Sequence, residues 1–261
     1  MPAYKPEFKG FDKNFGAEGR IAMVTGAAQG IGKACALLFA EKGADIVLVD
    51  VSDKVDSVVP EIEALGRKAI AVKADLMTNA GILASVDGAM QTFGRIDILV
   101  NCAGVALLAP AEELDERKWD LTIDLNLKAV FRLSQEVGKI MLEQGKGKIV
   151  NIASDASIVS FDEHVAYCAS KCGVVGLTRV MGTEWAGRGV NVNSVSPVVV
   201  MTEMGKTVWT GEVGRKMLEK VPTGRFAYPE EVAACCVFLA SDAADMITGT
   251  NLVIDGGSTV L

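Results

Sequence analysis

The chain of 261 residues lacks several features, and each absence excludes a class of protein. It has no uncharged apolar run of about 18 residues, so no transmembrane helix is expected. It has no excess of positive charge: its net charge of −7 argues against a nucleic-acid binder, which needs a basic face for phosphate, and gives no support for anionic membrane surfaces. Histidine is nearly missing, with His164 standing alone. The cysteines at 35, 102, 168, 172, 235 and 236 do not fall into a metal-binding cluster. Cys168 and Cys172 share helical i, i+4 spacing, but no further Cys/His group completes a site, so no metal is expected and free thiols in a reducing cytoplasm are. Met1 to Arg20 carries Lys5, Lys9, Asp12 and Lys13 among aromatics without an apolar stretch, so no signal peptide is expected.

What is present is a globular composition: half the residues are apolar, 27 are glycine and 23% are charged. The length suits one large domain over 1–261, with a polar leader at 1–19. Apolar runs at Arg20–Thr25, Asp45–Val49, Lys68–Lys73, Ile96–Val100, Lys148–Ile152, Val190–Val195 and Asn251–Ile254 read as buried strands. Helical periodicity falls between them, at Gly30–Lys42, Val55–Leu65, Asn79–Phe93, Asp115–Asp120, Ile123–Gln144, 164–186 and 229–240. This alternation predicts an α/β fold, a doubly wound parallel sheet flanked by helices. After Pro197 the rhythm breaks, and the Gly-, Thr- and Met-rich stretch 198–228 is expected to be a mobile segment over the site.

Two constellations carry chemistry. Thr25-Gly26-Ala27-Ala28-Gln29-Gly30-Ile31-Gly32 joins the first strand to the first helix. Glycines there let the backbone turn tightly and approach a pyrophosphate that the helix N-terminus stabilises. Asp50 ends the second strand, where a carboxylate accepts hydrogen bonds from ribose hydroxyls and repels a 2′-phosphate. The nearest cation along the chain is Lys54, so the pattern favours NAD over NADP. The second constellation is Tyr167-Cys168-Ala169-Ser170-Lys171, with Ser154 upstream. Tyrosine and lysine one helical turn apart share a face, and a fixed positive charge pulls a phenol down from its usual pKa of about 10. Such a phenol exchanges protons with an alcohol or ketone.

With Asp75-Leu76, Asn101-Cys102-Ala103-Gly104, Asn126 and Pro197-…-Thr202 added, the chain resembles the short-chain dehydrogenase/reductase family, single-domain branch with a Rossmann fold, over about residues 18–258. The resemblance implies roles. Tyr167 would be the acid/base, Lys171 would lower its pKa and hold the nicotinamide ribose, Ser154 would bond the substrate oxygen, and Asn126 would anchor a water relay. Asp75 and Leu76 would face the adenine. Asn101, Ala103 and Gly104 would line the adenosine side, and Thr202, with Pro197 and the backbone at Val200, would hold the carboxamide. The family usually has asparagine where Cys102 stands and glycine where Val198 stands, so Val198 is expected to crowd the nicotinamide and substrate.

Within the family the chain is similar to bacterial polyol dehydrogenases through Phe11–Phe15, Gly104–Leu108, His164–Cys168 and Gly224–Pro229. The expected reaction is NAD-dependent oxidation of a secondary hydroxyl of a short, D-threitol-like polyol. Asp155, His164, Val198 and Trp209 are candidate substrate contacts. A bulkier substrate such as a hydroxysteroid is the alternative, and a non-catalytic NAD-binding scaffold or sensor is a further one. The resemblance also implies a cytoplasmic homotetramer with contacts through 115–144 and 164–186.

Overall fold

A computed structural model describes residues 10–203, 205 and 209–261. Seven strands, β1 (Ile21–Thr25), β2 (Asp45–Asp50), β3 (Ala69–Lys73), β4 (Ile98–Asn101), β5 (Gly147–Ile152), β6 (Val190–Pro197) and β7 (Asn251–Ile254), form one sheet in the order β3-β2-β1-β4-β5-β6-β7. Every pairing is parallel. β1 and β5 are buried along their whole length, β1 through a mostly apolar run and β5 with Lys148 and Asn151 kept inside by hydrogen bonds to Asn191 and Thr178. The strand order reverses between β1 and β4, and their carboxyl ends open the crevice where such sheets bind ligands.

Helices cover both faces: α1 (Gly30–Glu41), α2 (Val59–Ala64), α3 (Asn79–Phe93), α4 (Glu116–Ile123), α5 (Val130–Gln144), α6 (Val165–Ala186), α7 (Gly211–Leu218) and α8 (Pro229–Ala240). One core holds Phe39 of α1 and Val237 of α8 against the alternate side chains of β1, β2 and β4. The other holds Val86 of α3, Leu133 of α5 and Met181 of α6. The leader joins the first core: Ala17 is buried, and Phe15 packs edge-on against Phe238, with ring centroids 5.7 Å apart.

Two expectations change in detail. The helices read at 115–120 and 123–144 are one continuous rod, capped by the Asp115 carboxylate on the Lys118 amide at 2.9 Å. A π-helical turn at Asp124–Ala129 joins α4 to α5, and such turns cluster at functional sites because they shift side chains around the axis. The 198–228 stretch has its own apolar cluster of Val198, Met217, Val221 and Ala227, with Phe161, Trp209 and Phe226 against it. A parallel bridge between Val200 and Ala227 closes that stretch on itself. Arg225 then anchors it to α8 through a two-pronged pair with Glu231, both contacts at 2.7 Å. Among the described residues no helix is long and apolar enough to cross a membrane, and no cluster of metal-ligating side chains occurs.

Phe39, 1% exposed, is among the largest buried side chains and fills the space between α1 and the sheet. Phe39→Ala should cost about 3–5 kcal/mol, read as a lower denaturant midpoint with an unchanged slope.

Candidate active site

At the carboxyl end of β1 the backbone makes the expected turn. Gly26 has φ +66°, and a Cβ there would stand 3.0 Å from the backbone of Ala103. A Cβ on Gly32 would collide with the Gly26 carbonyl oxygen, so α1 lies directly on the turn. Gln29 opens α1 without capping it, and the first turn carries no acid, so its amides face the crevice unscreened. This glycine cradle fits a pyrophosphate, stabilised by the helix N-terminus. Thr25, quoted in the motif but given no role, is the joint beneath it. Its hydroxyl accepts from the amides of Cys102 and Ala103 at 2.9 and 3.1 Å and ties the turn to the loop after β4.

Asp50 sits at the end of β2 with both oxygens engaged, accepting from Ala28 at 3.0 Å and Ser52 at 2.9 Å. A carboxylate has about four acceptor positions, so it can still receive ribose hydroxyls. Along the sequence its nearest cation is Lys54. The sheet supplies one, because Lys73 of β3 is in register with Asp50. Lys73 is ion-paired to Asp53, which neutralises it. Leu76 is buried, and the Asp75 carboxylate is held by the amide of Met77 at 3.0 Å.

Asn101 departs from its expected place. Its side chain does not line the crevice. It donates to Asn151 at 2.8 Å and Ser134 at 2.9 Å, and Asn151 donates in turn to Thr178 at 2.9 Å. All four are buried, and the chain of bonds ties β4 and β5 to α5 and α6 beneath the site. Asn101 and Asn151 are register partners on neighbouring parallel strands, which places their side chains on one face. Only the Asn101 backbone and the following Ala103 and Gly104 remain for a ligand.

The catalytic candidates come together at the ends of β5 and β6 and the start of α6. Lys171, 5% exposed, donates to the Ile152 carbonyl oxygen at 2.7 Å, and its Nζ lies 5.6 Å from the centre of the Tyr167 ring. Ser154, two residues beyond Ile152, donates to Asp155 Oδ1 at 2.9 Å and accepts from the Ala156 amide at 3.2 Å. Asn126, brought inward on the π-helical turn, exchanges hydrogen bonds with the Val105 backbone, both at 2.8 Å, and donates to Ser170 Oγ at 3.2 Å. Ser170 donates onward to the Tyr167 carbonyl oxygen at 2.7 Å, a link that its place between tyrosine and lysine left unassigned. A Cβ on Gly104 would stand 3.0 Å from Asn126 Oδ1 and 3.8 Å from Lys171 Nζ, so this loop passes close over both groups.

The electrostatics differ from the simple expectation. Burial pushes Tyr167 up to about 12, with the Ser154 hydroxyl pulling the other way, and burial pushes Lys171 down to about 8. The lysine was expected to lower the phenol. Its ammonium instead donates to the Ile152 carbonyl beside the tyrosine ring, and the phenol is governed by the loss of water, opposed by the Ser154 hydroxyl. Burial likewise raises Asp155, 4% exposed, to about 6, against the Ser154 hydrogen bond.

The remaining candidates separate. Val198 is buried in the apolar cluster of the 198–228 stretch, with Phe161, Trp209 and Phe226 packed against that cluster. Trp209 packs in the same cluster, 6.5 Å from Phe226 between centroids. Thr202 lies with its methyl 3.1 Å from where a Cβ on Gly30 would stand, and its hydroxyl accepts from Gly205 at 3.0 Å. Pro197 ends β6, and Val200 forms the bridge described above. His164 precedes α6 and stands edge-on to Tyr167 at 6.0 Å, its Nδ1 donating to the Asp162 carbonyl oxygen at 2.5 Å. Glu163 before it has φ +64°, a strained turn of the kind found beside active sites.

A family profile described as enoyl-(acyl carrier protein) reductase matches residues 26–259. The chain belongs to the short-chain dehydrogenase/reductase family. It is accordingly an oxidoreductase of alcohol groups that works with a nicotinamide dinucleotide. It is 51% identical to an NAD-dependent glycerol dehydrogenase of Listeria innocua, over 97% of this chain and 99% of that protein. It is also 51% identical to a D-threitol dehydrogenase of Mycolicibacterium smegmatis, over 95% of this chain and 96% of that protein. A crystal structure of a candidate NAD(P)-dependent gluconate 5-dehydrogenase from Beutenbergia cavernae, with NADP bound at low occupancy, superposes with a TM-score of 0.90. That protein is 41% identical, and the match covers 95% of this chain and 99% of that one.

The raised Asp155 gives a signed pH dependence. A carboxyl with a folded pKa of about 6, above its ordinary 3.8, stabilises the fold when protonated, and that contribution is lost as pH rises from about 4 to about 6. Asp155→Asn has no such titration. Its stability relative to the wild type should therefore increase across this window by about 2–3 kcal/mol and stay level above it, as read by urea unfolding of the cofactor-free protein. A gap that does not change with pH would contradict the buried charge.

Proposed function

We propose that this enzyme oxidises a secondary hydroxyl of a short neutral polyol to a ketose, with NAD as cofactor. The observation that carries the reading is the assembly of Ser154, Tyr167 and Lys171 at the mouth of a glycine cradle whose far end carries Asp50. The similarity to glycerol and threitol dehydrogenases supports the substrate class.

Gly26, Gln29, Gly30, Ile31 and Gly32 would hold the pyrophosphate, Asp50 the adenosine ribose, and Asp75 with Leu76 the adenine. Ala103 and Gly104 would line the cradle by their backbone. Tyr167 and Lys171 would hold the second ribose, and Pro197, Val200 and Thr202 the carboxamide. The bound dinucleotide supplies the hydride acceptor. The chain supplies the rest: the substrate hydroxyl lies between the Ser154 and Tyr167 oxygens, and its proton passes to the Tyr167 phenolate. The Ser154 hydroxyl, which donates to Asp155 in the chain alone, would turn its proton to the substrate oxygen, while that oxygen gives its own single proton to Tyr167. The Lys171 ammonium is the chain's own charge favouring the phenolate against the burial that opposes it. Asn126, locked to Val105, would seat the water that relays the proton outward. Holding reactants in this geometry accounts for much of the rate.

Asp50 supports NAD, because a carboxylate there disfavours a 2′-phosphate and Lys73 is held by Asp53. The bound NADP of the Beutenbergia cavernae protein makes the comparison worth measuring.

Tyr167→Phe should lower turnover by roughly a hundredfold to ten-thousandfold while NADH binding, followed by fluorescence, stays within a few-fold of wild type. Near-normal turnover would remove tyrosine from the chemistry. Asp50→Ala should lower kcat/KM with NAD by about tenfold and raise the NADP-to-NAD ratio, measured with both cofactors side by side on glycerol, D-threitol, erythritol and arabinitol. An unchanged ratio would mean that Asp50 serves the loop alone.

A further inference from the structure

Among the described residues one buried side-chain polar atom has no hydrogen-bond partner: Oδ2 of Asp155. The residue is 4% exposed, and a carboxylate at that depth is normally satisfied on both oxygens. Its Oδ1 receives the Ser154 hydroxyl at 2.9 Å, so the free oxygen stands one hydrogen bond away from the group that would hold the reacting substrate oxygen. No cation of the described chain pairs with it. The titratable groups around it are His164 just before α6, Tyr167 and Cys168 on α6, and Asp255 after β7. Asp255 has its own donors, the amides of Gly257 at 2.9 Å and Thr259 at 2.7 Å. His164 has its Nδ1 committed to the Asp162 carbonyl.

We propose that Asp155 is the specificity-determining residue of this site, its free oxygen accepting a hydrogen bond from a second hydroxyl of the substrate, on a carbon next to the one oxidised. The inference rests on the polyol reading above and deepens it. An ionised carboxylate only accepts hydrogen bonds, so the partner it lacks must be a donor, and the neighbouring hydroxyl of a polyol is one. A substrate without that hydroxyl leaves the carboxylate unsatisfied, the arrangement by which polar sites reject deoxy analogues. A substrate carrying a carboxylate there meets like charge, so the same residue selects neutral polyols over sugar acids.

The test is the steady-state kinetics of Asp155→Asn with D-threitol and NAD. The amide can still accept the Ser154 hydroxyl but replaces one acceptor oxygen with a donor. The KM for D-threitol should rise at least roughly tenfold, with kcat falling by no more than about threefold and the KM for NAD unchanged. A loss confined to kcat would mean that Asp155 acts only through Ser154, and unchanged constants would mean that it touches no substrate; either overturns the proposal. Wild-type protein that oxidises none of D-threitol, glycerol, erythritol and arabinitol would overturn the polyol reading and this inference with it. Activity of the wild type with an indifferent variant overturns this inference alone. Should the variant not fold, a crystal structure of the wild type with NADH and D-threitol decides. Oδ2 within about 3.2 Å of a substrate hydroxyl supports the assignment, and Oδ2 bonded to water or protein instead overturns it.

Discussion

The hydrogen bond from the Lys171 ammonium to the carbonyl oxygen of Ile152, 2.7 Å long, joins the helix that carries the tyrosine to the strand that leads into the serine. Tyr167 lies one turn before Lys171, and Ser154 lies two residues after Ile152. This one contact therefore sets how a phenol and a hydroxyl from separate elements face each other. Lys171 is 5% exposed, and a buried ammonium without an acceptor carries a large desolvation penalty. Sliding α6 along the sheet would break the bond and leave that charge unmet, so the fold resists the motion that would most damage the site.

The same principle of directional bonds inside an apolar core operates a layer below. The Asn101, Asn151 and Thr178 ladder, with Ser134 at its side, crosses from β4 through β5 to α6 and reaches back to α5. Apolar side chains would fill that space as well but would not specify one alignment of strands and helices. Satisfied polar networks do, because every displacement leaves a donor or acceptor bare. Asn126 extends this logic to the loop: the π-helical turn brings its amide to the Val105 backbone, which carries Gly104 over Lys171.

Much of this was legible in the sequence because the signals were local. Parallel buried strands wrote themselves as mostly apolar runs, and 229–240 and Asn251–Ile254 were read to the residue. The glycine turn, the acid closing β2 and the Tyr-to-Lys spacing each depend on neighbours within a helical turn or one strand. What could not be read lies between elements. Lys73 stands beside Asp50 only through strand register, 23 residues along the chain. The resemblance implies a cofactor contact for Asn101, and its ladder partner Asn151, 50 residues away, is not visible along the sequence. Val198 is expected to crowd the nicotinamide because the family resemblance has glycine there, whereas its packing with Met217, Val221 and Ala227 depends on partners that only the fold brings to it. The sequence pattern divides the single rod from Glu116 to Gln144 at 120–123, and the π-helical turn at Asp124–Ala129 lies hidden inside the second of the two expected helices.

The pKa directions at the site have a common cause with different consequences. Burial moves Tyr167, Lys171 and Asp155 each toward its neutral form. A site arranged only for stability would not gather such groups in one place, and functional sites are where local rules are expected to be broken. The low dielectric that penalises these charges also strengthens whatever interaction each one makes. Lys171 has its acceptor within the chain, the Ile152 carbonyl, and so serves the neighbouring phenol as a fixed element. Asp155 has one oxygen engaged by the Ser154 hydroxyl, and its other oxygen has no donor among the described residues. The cation is therefore built into the fold, whereas the anion is completed only by what binds, which makes substrate hydroxyls part of the electrostatic balance of the site.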